Sequence, residues 1–395
     1  MNRFFALASI TFNLFIKKIL INIILIFLLC TCVLYSNFAI CEVKSIAKNY
    51  DIVTSINHKN TLLYMVSTSL TMAKDEYVLD VSELQDLQSV GYMRYSSIKE
   101  DTQNCKLYIY SKAVVQHVEI PLSKGTWDAS VKMDGDAVYY PIVISQETSR
   151  LNYNDTTVIQ LNSGERLKVY VCGVLDDDQK YINLSMATNA VNADHLVKDC
   201  TPQSVSYFAI EELYPAALKE GSHVGSAKFF FFDDTSSNVM NENYRILRNQ
   251  GYTYTMDTLI NNSQEQLKQG YTFYLPLLIC LIILSVIGSI SFTVLAIKDN
   301  QVYYSCFLLC GAQKGDCKNL SILNTLWIAA LSLVTTIFLT SAFIRMGVFA
   351  GWYKLSIINV LASFMIYALF WGISVVITKV LFKNKTITQL LKIET

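Results

Sequence analysis

Hydrophobic residues are gathered into four long blocks along the chain, and the segments between them are much more polar. The blocks cover residues 19–40, 272–297, 321–344 and 355–381, and Lys379 is the only charged residue within them. A helix of about 20 apolar residues crosses the hydrocarbon core of a bilayer, which is about 30 Å thick. A lone strand would leave its backbone groups unpaired in lipid. The pattern therefore predicts four transmembrane helices.

The longest polar segment separates the first block from the second. It covers residues 41–271, which is long enough for its own core, and we expect two subdomains. Runs rich in β-branched and aromatic residues predict strands, and they read KLYIYS, AVVQHVEIPL, AVYYPIVIS and ERLKVYVCGVL. Helices are predicted near the end of the segment, at SNVMNENYRILRNQG and DTLINNSQEQLKQGY. Ser82 and Gln85 predict a capped helix that Gly91 closes.

The predicted fold class is an α+β membrane protein with four transmembrane helices and a large mixed α/β extracytoplasmic domain inserted between the first and the second. The remaining segments are short. They are an interfacial helix over residues 1–18, a mostly helical connection over 298–320, an external loop over 345–354 and a tail over 382–395. The last helix of the domain meets no helix breaker before Pro276, which lies in the second block. This continuity suggests that movement of the domain is transmitted mechanically across the membrane.

Charge bias in the short segments predicts the orientation. The arm before the first block contains Arg3, Lys17 and Lys18 without an acid, the tail is basic, and the connection over 298–320 is weakly basic. We expect both termini and this connection in the cytoplasm and the large domain outside, in a multi-pass protein of the plasma membrane. The first block could instead be a cleaved signal peptide, but the long arm and long apolar run favour an uncleaved anchor.

The distribution of charge argues against one class of partner. The formal net charge is zero, and the segments outside the large domain sum to +9, so the domain carries −9. An acidic surface repels nucleic acid. We therefore expect no nucleic-acid partner.

Motifs for catalysis or cofactor binding are not visible in the sequence. GSHVGSA and GAQKGDC do not match a phosphate-binding loop at the positions that require a lysine and a hydroxyl residue. The four histidines show no metal-ligand spacing, and the acidic runs at 176–178 and 233–234 match no calcium loop. We expect no catalytic, cofactor or metal site in this chain and no enzymatic activity of its own.

Two short stretches carry a resemblance to a known family. In FLLCGAQKGDCKNL, Gly311 and Ala312 match an apolar-x-x-Gly-Ala/Ser turn, and in the run that ends in VCGVL, Gly173 and Val174 match the closing pair of a strand. With the order of one span, a large domain and three further spans, these stretches resemble the FtsX-like permease family, and more closely its MacB-type ABC transporter members.

The resemblance implies a bacterial permease subunit whose cytoplasmic connection is a coupling helix that contacts a separate ABC ATP-binding subunit. ATP and magnesium would be bound by that subunit. Further partners would be a second permease copy, identical or related, and membrane lipid. The residues expected to contact the ATP-binding subunit are Cys310, Gly311, Ala312, Gln313, Lys314, Gly315, Asp316, Cys317, Lys318, Asn319 and Leu320.

The same resemblance implies a task at the outer face of the membrane. The complex would export or extract a peptide, such as a bacteriocin, or a lipid-like molecule through piston-like motion of the domain. An alternative is an FtsX-like signal transmitter that regulates an extracellular cell-wall hydrolase. A membrane-bound enzyme is a third possibility, which the missing catalytic constellation argues against.

Overall fold

The computed structural model describes residues 2–17, 19–56, 60–66, 79–100, 103–145, 151–162, 164–176, 180–185, 191–200, 206–215, 222–346 and 355–384. The chain divides into two compact units, one formed by Met1–Val43 with Tyr271–Thr395 and the other by Lys44–Gly270. Among the residues just given, four helices are long and apolar enough to cross a membrane. A strand-rich mixed α/β domain follows the first of them, which confirms the predicted fold class.

The helices and strands are labelled in chain order within the described residues. The helices are α1 (Asn2–Lys17), α2 (Ile19–Ser55), α3 (Lys112–His117), α4 (Ala193–Leu196), α5 (Ser237–Gln250), α6 (Met256–Asp299), α7 (Gln301–Leu309), α8 (Lys314–Arg345) and α9 (Ile357–Asn384). The strands are β1 (Thr61–Met65), β2 (Leu87–Gly91), β3 (Met93–Glu100), β4 (Gln103–Tyr110), β5 (Leu122–Gly125), β6 (Lys132–Asp134), β7 (Ala137–Ile144), β8 (Thr156–Leu161), β9 (Arg166–Leu175), β10 (Lys180–Ile182), β11 (Val197–Asp199), β12 (Ser206–Ile210), β13 (His223–Val224), β14 (Ala227–Phe232) and β15 (Tyr252–Thr255).

Polar side chains connect the apolar helices of the first unit. The Cys30 thiol of α2 donates to the backbone carbonyl of Ser332 in α8 at 3.3 Å, and the hydroxyls of Ser289 in α6 and Ser374 in α9 are 2.8 Å apart. Such bonds hold helices together in lipid, where apolar surfaces alone give little driving force for association.

Helices α8 and α9 are antiparallel. The hydroxyls of Ser321, near the start of α8, and Thr378, near the end of α9, are 3.5 Å apart. Further along α8, the Thr336 hydroxyl lies 2.9 Å from the Tyr367 hydroxyl of α9. Two successive transmembrane spans require this arrangement.

The larger sheet of the domain has nine strands among the described residues, and six of them form a closed ring. The strands follow the order β9-β8-β3-β4-β12-β7, and a parallel pairing of β7 with β9 closes the ring. Alternate residues of each strand point into it, and they form a buried aliphatic core that includes Leu107, Ile109, Ile142, Val169 and Val171. Residues on the outer faces of the same strands, such as Tyr108 and Phe208, belong to a second core.

A separate four-stranded antiparallel sheet has the order β15-β1-β14-β2. The four phenylalanines of β14 are buried on its two faces, and Leu247 of α5 is buried in the cluster with Phe230 and Phe232. The helix predicted at SNVMNENYRILRNQG therefore matches α5.

Two local predictions are wrong. The helix predicted from Ser82 to Gly91 is a turn followed by β2, because the Asp80 carboxylate accepts the Ser82 backbone N–H and hydroxyl and the next residues pair with β14. The strand predicted at AVVQHVEIPL begins as α3. There the Glu212 carboxylate accepts the Lys112 backbone N–H at 3.0 Å at the start of the helix, and tertiary contacts override the β propensity of valine.

Candidate functional site

The connection between the second and third apolar helices is a helix, a tight turn and the start of another helix. Helix α7 ends in a Schellman motif, in which the backbone N–H of Gly311 donates to the Leu308 carbonyl at 3.1 Å and that of Ala312 donates to the Phe307 carbonyl at 2.9 Å. Gly311 has φ +91°, in the left-handed region that favours glycine. The Gly-Ala pair noted in the sequence is therefore the stop signal of α7.

Helix α8 starts directly after this turn. Its N-cap is Gln313, whose backbone N–H donates to the Asp316 carboxylate at 2.9 Å. An acid at this position satisfies an otherwise unpaired donor and interacts favourably with the positive end of the helix dipole. The turn is thus fixed from both sides, by the end of α7 and by the beginning of α8.

One side of the connection packs into an apolar cluster of its own unit. Tyr304 is fully buried and lies edge-on to Phe382 of α9 with 5.6 Å between ring centroids. Cys317, Leu320 and Ile297 complete the cluster. Burial, opposed by hydrogen bonds with Ser321 and Asn300, raises the pKa of Tyr304 to about 12. The connection is therefore packed against both α8 and α9.

The cluster also encloses one thiol. Cys317 is fully buried, and its Sγ donates to the Tyr304 backbone carbonyl at 3.8 Å. Cys317 therefore packs as a small side chain between α7 and α8.

The other side of α7 carries apolar residues that the rest of the chain leaves uncovered. They recur at helical spacing and are Val302, Tyr303, Cys306, Leu309 and Cys310. Leu309 is 75% exposed. We call these five residues the α7 apolar face. An apolar patch of this kind on an otherwise packed element marks an interaction surface.

The N-terminal helix lies beside the α7 apolar face. The Lys17 ammonium donates to the Tyr303 hydroxyl at 2.9 Å and lies 4.7 Å from the centre of its ring. The Trp327 indole of α8 donates to the Thr11 hydroxyl of α1 at 3.2 Å. Helix α1 and the connection therefore lie on the same side of their unit.

The structure places the eleven residues predicted to contact a partner in two groups. Cys310 to Gln313 form the turn, and Lys314 to Leu320 form the first two turns of α8. Cys317 and Leu320 are buried in the apolar cluster, so their side chains position the connection and are not accessible to a partner. The remaining nine are exposed or half-buried.

The sequence prediction did not include four residues of the α7 apolar face: Val302, Tyr303, Cys306 and Leu309. The segment QVYYSCFLL is apolar all around its helix, so the sequence alone does not show which side packs inward. The i, i+4, i+7 spacing of Val302, Cys306 and Leu309 places these residues on one side of the helix. It identifies the exposed side only once Tyr304 is known to be buried.

A second arrangement, inside the domain, joins two long helices. The Asp194 carboxylate accepts the Asn49 amide of α2 at 2.6 Å, and its other oxygen accepts the Gln266 amide of α6. We call these three residues the Asp194 clamp. Next to it, the Ser263 hydroxyl of α6 accepts the Ala193 backbone N–H at 2.8 Å. The short helix α4 is therefore bonded to both α2 and α6.

Among the residues that the structure describes, no group of three His, Cys, Asp or Glu side chains is placed to hold a metal ion.

No protein-family model matches the chain, and no curated protein sequence matches it. Solved structures give weak similarities. The periplasmic region of MacB from Actinobacillus actinomycetemcomitans aligns with 55% of this chain and 98% of its own, at 15% identity and a TM-score of 0.33. The extracellular domain of the ABC-type transporter YknZ from Gram-positive bacteria aligns with 48% and 92%, at 10% identity and a TM-score of 0.28.

A domain of a predicted permease protein from Porphyromonas gingivalis aligns with 49% of this chain and 83% of its own, at 9% identity and a TM-score of 0.25. All three TM-scores are below the level at which two chains share a fold. The function proposed next therefore rests on the geometry of this chain.

Proposed function

We propose that this chain is the permease subunit of an ABC transporter, which couples ATP hydrolysis by a separate cytoplasmic subunit to motion of its extracytoplasmic domain. The observation that carries the proposal is the succession of two helices. Helix α6 is continuous over 44 residues, and α7 follows it after a single residue and exposes an apolar face. This arrangement joins an apolar docking surface to one long helix, which contains Pro276.

Force would enter at α7 and leave through the helices packed against it. The ATP-binding subunit would contact the α7 apolar face and the exposed residues of the turn. Displacement of α7 would pass to α8 and α9 through the packing of Tyr304 on Cys317 and Phe382, and to α6 through the backbone at Asn300.

The domain would respond through the Asp194 clamp. Because α2 and α6 are both bonded to α4, a shift of α6 along its axis would pull on α2 and on the strands next to α4. We propose that this motion exports or extracts a peptide or lipid-like substrate at the outer face, in a complex with a second permease copy. Both termini would be cytoplasmic, in agreement with the basic arm and tail.

The experiment measures ATP hydrolysis by a candidate ABC ATP-binding subunit that is reconstituted with the full chain in nanodiscs. Leu309→Asp places a charge on the docking surface. A residue in the centre of an interface contributes about 2 kcal/mol or more, so we expect about thirty-fold weaker association and loss of the stimulation that the chain gives to ATP hydrolysis.

The matched control is Met133→Asp, which changes an 80% exposed apolar residue of β6 to the same charge in the domain. It should leave association and stimulation unchanged. Unchanged stimulation in Leu309→Asp would contradict the assignment of the docking surface. Co-purification of a cell-wall hydrolase, with no transported substrate, would favour the signal-transmitter alternative.

A further inference from the structure

The membrane-spanning unit contains a cavity of about 820 Å³ between α2, α8 and α9. This volume lies within the range of about 300–1,000 Å³ that is typical of small-molecule sites. The lining contains no charged residue. The cavity therefore suits an uncharged or largely apolar ligand.

The polar residues of the lining are concentrated at one end. Leu326, Ala330 and Leu333 line one end of the cavity from α8, and Thr340 and Ser341 of the same helix line the other. Leu326 and Ser341 are about 22 Å apart along α8, from the helical rise per residue. The lining is mainly apolar throughout, since Ile344 and Leu355 also line the Ser341 end, and its few polar side chains are gathered toward that end.

A hydrogen-bonded group on α2 and α9 completes the polar end. The Asn37 amide donates to the Ser363 hydroxyl at 3.1 Å, and the Asn359 amide donates to the Asn37 backbone carbonyl at 3.1 Å. All three residues line the cavity. With the domain outside the membrane, Asn37 near the outer end of the apolar block of α2 and Asn359 near the start of α9 place this polar end in the outer leaflet.

The wall of the cavity also forms part of the surface that faces lipid. Ile337 and Phe364 line it and are 61% and 68% exposed. A molecule dissolved in the bilayer can therefore enter from the side, without passing through water.

We propose that this cavity binds one long-chain amphiphile of the glycerol-ester class from the outer leaflet. Its ester and hydroxyl groups would lie beside Asn37, Ser363 and Ser341, and its hydrocarbon chain would extend toward Leu326. The position of the polar side chains matches that of the polar groups of a lipid in the outer leaflet, and the neutral lining matches the uncharged glycerol backbone. Hydrocarbon fills the apolar end, where an empty space would forgo dispersion contacts.

The proposal takes its membrane orientation from the proposed function but does not depend on an ATP-binding subunit, so its failure and that of the proposed function are distinguishable. The probe is a diacylglycerol with a photoactivatable diazirine in one acyl chain, added to nanodiscs that contain the full chain. After irradiation, mass spectrometry locates the crosslinked residues and measures their yield. We expect the crosslinks on α8 and α9 at the cavity wall.

Ala330→Trp fills the apolar end and should lower the crosslinking yield there at least ten-fold. Leu333→Trp is a second variant at the same end, in case the first does not fold. The control is Val334→Trp, which places the same side chain on an exposed residue outside the lining and should leave the yield unchanged.

Two results would overturn the proposal. The first is crosslinking that does not depend on the cavity. Either the yield in Ala330→Trp equals that in the unaltered chain, or the yield at Ile283, on the exposed surface of α6, equals that at the cavity wall; both indicate ordinary bilayer contact. The second is a disulfide that joins two copies of the Ile337→Cys variant and is lost when Ala330→Trp is added. The cavity would then be the contact site of a second copy.

Discussion

Replacing Gly311 by alanine tests whether the end of α7 determines the geometry of the connection. The substitution meets no steric obstacle, because a Cβ atom at this position has no neighbour within 4 Å. Its only cost comes from the backbone, since φ is +91° and an L-residue in the left-handed region costs about 1–2 kcal/mol. The chain must either keep that strain or open the Schellman motif.

Amide hydrogen exchange of the full chain in nanodiscs measures this cost. Where exchange reports local opening, about 1–2 kcal/mol corresponds to about five- to thirty-fold faster exchange. The reporters are the backbone amides of Gly311 and Ala312, whose hydrogen bonds form the motif. Exchange in the distant strand β14 should not change.

Gly315→Ala is the matched control, four residues further along the same connection. Its Cβ would also meet no neighbour within 4 Å, but Gly315 lies in α8. Alanine is favoured over glycine in a helix by up to about 1 kcal/mol, so exchange at the start of α8 should become slower. The reasoning would be refuted if both variants shifted exchange in the same direction, or if Gly311→Ala left it unchanged.

Two further predictions concern the domain. Asp194→Ala removes the acceptor of both hydrogen bonds in the Asp194 clamp. A charged hydrogen bond contributes about 1.5–3 kcal/mol, and partial exposure reduces the two bonds together to about 2 kcal/mol, so amide exchange in α4 should be about thirty-fold faster. Unchanged exchange would show that the clamp does not stabilise α4. Burial lowers the pKa of His117, which stacks on Phe231 at 4.2 Å. The neutral imidazole of His117 therefore contributes its full stabilisation above the ordinary pKa of about 6.5, and this contribution declines as the pH falls below that value. His117→Phe should reduce the acid-induced increase in β14 exchange, and an identical pH dependence in both proteins would contradict this.

The four spans and most of the strands could be predicted because their signals are local. A charge-free run such as residues 272–297 has one stable form in lipid, and the aromatic run of β14 suits a strand buried on both faces. The helix α3 could not be predicted this way, because Val114 and Val115 favour strands and the Lys112–Glu212 contact that starts the helix joins distant segments.

The features that matter most for function were the hardest to predict, because they depend on contacts between residues far apart in sequence. Gly311 was recognisable as a turn residue. The direction of the α7 apolar face depends on Tyr304 packing against Phe382. The Asp194 clamp joins residues from three separate helices, and no local pattern indicates such a set.

The central claim is that the α7 apolar face lies in the cytoplasm and is covered by an ATP-binding subunit. Cys306 and Cys310 are exposed there and serve as native reporters. The measurement is their labelling by a membrane-impermeant maleimide, read by mass spectrometry, on intact cells and on inverted vesicles with and without the subunit. We predict no labelling in intact cells, labelling in inverted vesicles and protection by the subunit. Labelling of Cys306 and Cys310 in intact cells would contradict the proposed function.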